Sequence, residues 1–214
     1  MQFNKEDIQQ LDKKYRLNLI NSISGIKPAN LIGTRSKDNL DNLAIFSSVF
    51  HLGSNPAQFG LIIRPQSKTP RDTYANIQET KYYTINHVAE SFIKKAHYTS
   101  AKLNKDDSEF DVMKIEREFI DGFHAPFVKK SKVKIGLKKS DNILLPNGCT
   151  LIIGNVELVV FPENSINELG QIDLESYSCA GISGLNTYYG LKKLNSYPYV
   201  RNDEIPDFEW NKLT

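Results

Sequence analysis

The feature that most constrains this chain is a succession of short β-branched and aromatic segments set between clusters of Asp, Asn, Gly and Pro. Ala29 to Thr34, Leu43 to Leu52 and Phe59 to Ile63 follow one another in this way. Tyr82 to His87, Val128 to Leu137, Ile143 to Leu145 and Thr150 to Phe161 continue the pattern. Side chains of this kind suit a pleated, half-buried surface, and the residues between them are turn formers. Pro162 closes the last segment, because proline cannot donate to a ladder. Helices are few. Residues 4 to 14 read as an amphipathic helix capped by Asn4, with Asp7 in its first turn and Ile8 and Leu11 on one face, expected to pack across the body of the fold. Thr73 to Glu79 and Ala89 to Ala101 read as two more. Many strands and few helices predict a mainly β fold, a barrel with peripheral helices.

The chain has 214 residues and nothing resembling a linker, so a single domain over 1–214 is expected. Its 27 Lys and Arg against 25 Asp and Glu leave a net charge of +2, too little for a protein built to coat nucleic acid. Lys130, Lys132 and Lys134 alternate with Ser131, Val133 and Ile135, which assigns the lysines to a wet face and the other residues to the core. No stacking aromatics are interleaved with them, which argues against a nucleic-acid partner. The N-terminal residues hold no apolar core for a secretion signal, and no apolar stretch approaches the ~20 residues of a transmembrane helix. Cys149 and Cys179 lack CxxC spacing and read as free thiols. A cytoplasmic protein with no membrane partner is the expectation. Residues 162 to 185 are turn-rich and read as a surface loop.

Metal chemistry finds no footing, since His51, His87, His97 and His124 form neither HxH nor HExxH. The GxSxG elbow and the GxxxxGK[ST] phosphate loop are also missing. Gly181-Ile182-Ser183-Gly184 follows no predicted strand and opens no helix, so a Rossmann-type site is not expected there. What remains is a set of polar and basic residues in the first half. Ser47 and Ser48 interrupt the apolar run Leu43 to Phe50, and two adjacent hydroxyls on a strand face opposite ways. Arg64 ends the next strand, and Thr69-Pro70-Arg71-Asp72-Thr73 opens a helix. Arginine forks, a threonine hydroxyl and the N–H groups of a helix start can converge on one anion, with phosphate the natural occupant. Spacing alone leaves the alternative open that Asp72 or Thr73 merely caps the helix while both arginines sit in water.

The order of these segments carries a resemblance. Asn42 to Phe50, Pro56, Arg64, Arg71-Asp72-Thr73-Tyr74-Ala75-Asn76-Ile77 and Tyr83-Thr84-Ile85-Asn86 together resemble the flavin reductase-like, FMN-binding split-barrel family, more narrowly its flavoredoxin branch. Ala96 to Ala101 with Ser108-Glu109-Phe110 resembles that branch's post-helix loop. Ala125 to Val128 and Ile152 to Val156 look like its later strands, and Tyr188-Tyr189 and Tyr197-Pro198-Tyr199 are similar to its C-terminal segment. The resemblance covers roughly residues 20 to 162. Two departures stand out: Ile45 where many members carry proline, and Arg71 where many carry lysine.

The resemblance implies a mainly β, Greek-key split barrel of the FMN-binding type. It implies that Ser47 and Ser48, with the backbone of Ile45 and Phe46, line the isoalloxazine and ribityl side of FMN, and that Arg64, Arg71 and Thr73 hold its phosphate. Asn86, Lys95, Ala96 and His97 match the segment beside the ring or the incoming nicotinamide, with Ser100, Glu109 and Phe110 close behind. His97 is the one candidate for a catalytic side chain, because a bound flavin carries the hydride chemistry itself. The implied activity is an NAD(P)H-dependent flavin oxidoreductase, working as a homodimer and passing electrons to a flavin, a metal complex, a redox protein or a partner monooxygenase. The alternative is a non-enzymatic flavin-binding electron carrier that takes its electrons from a partner protein.

Overall fold

The computed structural model describes residues 1–66, 71–104 and 106–208. Strand accounts for 35% and helix for 22%, as expected of a β fold with helical decoration. The expected first helix is two: α1 (Lys5–Gln10) and α2 (Lys13–Ser22). Asn4 and Asp7 form the capping box of α1. The break comes at Leu11, whose backbone turns extended, because the Asp12 carboxylate accepts from the N–H groups of Lys14 and Tyr15 at 2.9 and 3.1 Å and starts a new helix. Neither helix buries a residue, so the expected packing across the body is corrected.

Among the described residues fifteen strands and α-helices follow, beginning with β1 (Lys27–Pro28), β2 (Asn30–Arg35), β3 (Asp41–Phe46), β4 (Val49–Ser54) and β5 (Ala57–Ile63). Next come α3 (Asp72–Thr80), β6 (Tyr82–His87), α4 (Ile93–Tyr98), α5 (Glu109–Val112), β7 (Arg117–Glu118) and β8 (Phe127–Val128). The last are β9 (Lys134–Leu144), β10 (Thr150–Val160), β11 (Ala180–Ser183) and β12 (Thr187–Gly190). Seven strands form one antiparallel sheet in the order β3-β2-β6-β9-β10-β5-β4. Its two outer strands are consecutive in the chain. A flat sheet would hold them about 29 Å apart at ~4.8 Å per strand. The three chain steps from Phe46 to Val49 reach about 11 Å at most. The sheet must therefore curl until its edges meet, and it closes as a barrel whose seam, between β3 and β4, is covalent rather than hydrogen-bonded.

Pleating sends alternate side chains to the two faces. Ile32, Val49, Leu61, Tyr83, Ile85, Ile135, Leu137 and Ile152 fill the barrel interior together with Ile77 from α3. Leu31 and Leu43 point outward into a second core made with Phe92 and Ala96 beside and on α4, Phe110 on α5, and Ala180 and Ile182 on β11. At Gly33 and Gly154 a β-carbon would run into Pro126 and Tyr83 respectively, so glycine is the residue that lets those layers approach.

Several expected elements shift. The strand expected over 43–52 splits at Ser47–Ser48 because the closure requires a bend there. The helix expected over 89–101 is a short 3-10 turn, Glu90–Phe92, followed by α4. The segment expected as a strand over 128–137 turns at 129–130, where Ser131 donates its hydroxyl to the His87 carbonyl at 2.8 Å. β9 then runs on through the strand expected at 143–145. Lys130 and Lys132 are exposed as the alternation requires, but Lys134 is buried, its ammonium 2.6 Å from Glu118 Oε1. The turn-rich stretch after Pro162 ends in β11, which joins β1 and β12 in a separate three-stranded sheet and carries the first glycine of Gly181–Gly184.

His87 closes β6 with its Nδ1 3.8 Å from Cys179 Sγ, and burial pushes its pKa down to about 4. The ring is thus neutral in the folded state, while the unfolded chain binds a proton near the ordinary value of 6.5. Stability from this group is complete above pH 6.5 and is lost as pH falls toward 4, at most about 3 kcal/mol. Urea midpoints taken through that window should fall with pH in the native protein and fall less in His87→Gln. Equal slopes in the two proteins would show that the buried ring protonates unopposed.

Candidate functional site

The seam of the barrel exposes backbone. Residues 44–48, the end of β3 and the bend before β4, are all half-buried. β3 pairs with β2 on one side only. On its free side the Leu43 N–H donates to Glu109 Oε2 at 2.9 Å. Alternate residues of a strand turn their polar groups the same way, so Ile45 also presents its N–H and carbonyl to that free side. Ser48 does not stay free: its hydroxyl donates to the Ile62 carbonyl at 2.8 Å and its carbonyl accepts from Ile62 N–H at 3.0 Å, which pins the seam to β5. Ser47 is left at the bend itself. Burial raises the Glu109 carboxyl above its ordinary pKa, the Leu43 N–H works against this, and the charge of Asp72 adds to the rise. Both α5 and α3 pack against β3, which brings Glu109 and the first residue of α3 into one neighbourhood.

Beside this edge stand the two arginines. Gln66 accepts from the Arg71 N–H at 3.0 Å and donates its own amide to the Arg64 carbonyl, so one side chain ties the end of β5 to the start of α3. Both arginines are exposed, and neither forms an ion pair among the described residues. Arg71 caps α3 from an extended conformation with no side-chain hydrogen bond to the helix start, at the end of the helix where the dipole is positive. Thr73, the second residue of α3, turns inward. It is buried, and its hydroxyl accepts from Asn42 Nδ2 at 2.9 Å within a network that includes Thr34 and Asn76. The Thr73 oxygen is thus engaged by Asn42, and the phosphate role expected of its hydroxyl rests on the proton, which finds no acceptor among the described residues. Thr69 and Pro70 of the same run lie outside the described residues.

The residues expected beside a ring divide in the same way. Asn86 and Ala96 have no exposed surface, so neither side chain can touch a ligand. Asn86 bonds to Leu31, Thr84 and Val128, and Ala96 packs in the outer core with Leu43 and Ile45. Lys95 sends its ammonium to the Lys114 carbonyl at 2.6 Å. His97 is half-buried, with Nδ1 3.0 Å from the Tyr188 hydroxyl. Ser100 is exposed and donates to the His97 carbonyl at 2.7 Å. Phe110 is buried beneath the Arg117 guanidinium, which lies 5.4 Å from its ring centre.

Sequence reasoning missed Gln66 and the charge cluster around Asp41. Arg35 grips Asp41 through Nε and Nη2 at 2.6 and 3.0 Å, and Arg117 adds Nη1 at 2.7 Å. Arg35 and Asp41 face each other across the β2–β3 hairpin, a signal legible in the strands once their register is known. Arg117 arrives from the distant β7, and nothing local announces it. A cavity of about 620 Å³ lies between 164–175 and 191–196, and another of about 520 Å³ lies beside 110–117. Neither is lined by residues 45–48, 64 or 71. Among the described residues no His, Cys, Asp or Glu cluster could hold a metal ion, and no helix is long and apolar enough to cross a membrane.

Residues 26–173 match the family described as flavin reductase like domain. The chain belongs to this family. A split-barrel protein from Shewanella frigidimarina NCIMB 400, assigned as a flavin reductase, is 44% identical over 94% of this chain and 100% of that one, with a TM-score of 0.90. Two more distant structures share the fold. Component B of nitrilotriacetate monooxygenase from Bacillus cereus is 19% identical, covering 92% and 98% of the two chains, with a TM-score of 0.80. Flavoredoxin of Desulfovibrio vulgaris (Miyazaki F) is also 19% identical, covering 82% and 92%, with a TM-score of 0.71. The expected split barrel with peripheral helices is therefore the fold of this chain. In this flavin reductase-like domain the seam, Arg64, Arg71, Glu109 and His97 all lie inside the matched residues, whereas α1, α2, β11 and β12 lie wholly or mostly outside them.

Proposed function

We propose that the chain is an FMN-binding flavin oxidoreductase that draws electrons from NAD(P)H. The observation that carries this reading is the pairing of an open β3 edge, offering the Ile45 backbone and the Ser47 bend, with two arginines that have no ion pair among the described residues and that Gln66 ties together at the start of α3. An extended strip of backbone donors and acceptors suits the edge of a flat heterocycle, and arginines at a helix N-terminus suit a phosphate. FMN carries both groups. When bound, it supplies hydride acceptance and onward electron transfer. The chain's own residues hold and orient it: Ile45, Phe46 and Ser47 along the ring side, Arg64 and Arg71 at the phosphate, and His97 nearby with one ring nitrogen free to donate. Ser48 keeps the seam in place.

The test compares FMN with riboflavin, which lacks the phosphate. Arg71→Ala should weaken FMN binding about tenfold or more, since a charge-assisted hydrogen bond contributes ~1.5–3 kcal/mol. It should leave riboflavin binding nearly unchanged. Fluorescence titration reads both, and an equal loss for the two ligands would move the arginine away from the phosphate. Anaerobic mixing of the flavin-loaded protein with NADH and with NADPH then separates an oxidoreductase from an electron carrier: bleaching of the flavin colour supports the first, and a persistent yellow supports the second.

Exposed apolar side chains also support a homodimer. Tyr15, Leu17, Ile20 and Ile23 of the α2 region and Tyr197 and Tyr199 near the C-terminus are exposed, an apolar display larger than a lone subunit gains from. Sedimentation of the purified protein should give twice the chain mass, and a monomer at working concentration would remove this part of the reading.

A further inference from the structure

Tyr188 lies on β12, beyond the residues that the family matches, yet its phenol reaches back to α4 and meets His97 Nδ1 at 3.0 Å. The two rings meet edge to face with centroids 5.8 Å apart, and Tyr98 meets the same imidazole edge to face at 5.8 Å. A hydrogen bond and two aromatic contacts fix both the plane and the rotation of the ring. A phenol is a better hydrogen-bond donor than acceptor, and a neutral imidazole nitrogen is a good acceptor, so the Tyr188 proton belongs in this bond. Burial raises the Tyr188 pKa and so keeps that proton in place. With Nδ1 occupied as an acceptor, the ring's own hydrogen sits on Nε2, which has no partner among the described residues. Ala96, the residue before His97, packs in the same cluster as Leu43 and Ile45, so α4 lies on the outer face of β3, the strand whose edge is open.

We propose that Tyr188 is a positioning residue that fixes His97 as an Nε2–H donor toward an electron-rich oxygen or nitrogen of the heterocycle bound along β3. This rests on the flavin reading above. It brings the C-terminal β11–β12 hairpin into the site, through a side chain that makes no contact with the ligand itself.

Nitrogen-resolved NMR of the full chain without flavin tests the arrangement directly. In the native protein the His97 Nδ1 resonance should be that of a non-protonated, hydrogen-bonded nitrogen. In Tyr188→Phe it should move to the unbonded position, with a second tautomer appearing. FMN titration of a double-mutant cycle tests the purpose. Tyr188→Phe should weaken FMN binding about fivefold when His97 is present. In a His97→Gln background it should have less than about a twofold effect, because the glutamine amide donates without needing Tyr188. A protonated Nδ1 in the native protein overturns the proposal, and so does an equal cost of Tyr188→Phe in both backgrounds, which is the signature of packing alone. If none of the four proteins binds FMN, the flavin reading fails and the donor role fails with it, while the nitrogen resonances still decide whether Tyr188 sets the tautomer.

Discussion

Asn86→Ala is expected to lower the melting temperature by roughly 8–16 °C, about 4 kcal/mol at this chain length. Asn86 sits in the middle of the sheet with no exposed surface and uses every part of its amide. Its Nδ2 donates to the Leu31 carbonyl at 3.1 Å and to the Thr84 hydroxyl at 2.8 Å, and its Oδ1 accepts from the Val128 N–H at 2.9 Å. Thr84 passes the chain on, donating to the Pro126 carbonyl at 2.7 Å. One side chain thereby joins β2, β6 and the segment that enters β8. Alanine would leave the Val128 N–H without its acceptor and two oxygens short of a donor, in a place water does not reach, at ~1–3 kcal/mol for each unsatisfied group. The same variant, where folded, should bind FMN as the native protein does, because the amide has no surface to offer a ligand. Thermal unfolding and an FMN titration check both halves. An unchanged melting temperature with weakened FMN binding would return Asn86 to the ligand site and refute the structural role.

Asn86 also marks where sequence reading stops. β6 is legible to the residue, Tyr82–His87, because its β-branched and aromatic side chains admit no other element. Yet Tyr83, Thr84, Ile85 and Asn86 are all buried, so the alternation that normally separates a wet face from a dry one is missing. A buried asparagine then looks like any polar residue near a ligand. Lys134 misleads for the same reason: it continues the exposed rhythm of Lys130 and Lys132, but it has entered β9, where Glu118 from the distant β7 neutralises it. The bend at Ser47–Ser48 is unreadable locally, since Leu43 to Phe50 is a sound strand by composition. Only the joining of two outer strands of a closed sheet forces the break. The arginines show the converse. Arg64 and Arg71 were legible as neighbours of a helix start, and Gln66 brings them together, but the inward turn of Thr73 depends on Asn42 from a strand far off in sequence. Within a single element, composition decides, and across elements the register of the sheet does.

Asp41→Asn is expected to cost about 3 kcal/mol and to loosen the site's rim as well as the fold. The Asp41 side chain is 3% exposed and receives three charge-assisted hydrogen bonds, two from Arg35 and one from Arg117. Arg117 also pairs with Asp111 and lies over Phe110, while Arg35 lies 4.1 Å from the Phe119 ring centre. Asp41 is therefore the node that fastens residues 109–119 to the β2–β3 hairpin. Asparagine keeps the shape but removes the charge that two adjacent guanidinium groups require, and the amide's own N–H groups would face those donors. Because both arginines are partly exposed, the cost lies at the low end for a broken buried pair. The functional consequence runs through Glu109, which the same segment carries to the Leu43 N–H on the free side of β3. Hydrogen exchange at the Leu43 amide should rise by an order of magnitude or more in Asp41→Asn, ahead of exchange in the barrel interior. FMN binding should weaken with it, because the strand edge proposed to meet the ring is no longer held flat. If the Leu43 amide stays protected and the melting temperature holds, the cluster has only the small worth of a surface ion pair, and Glu109 is anchored by the packing of Phe110 instead.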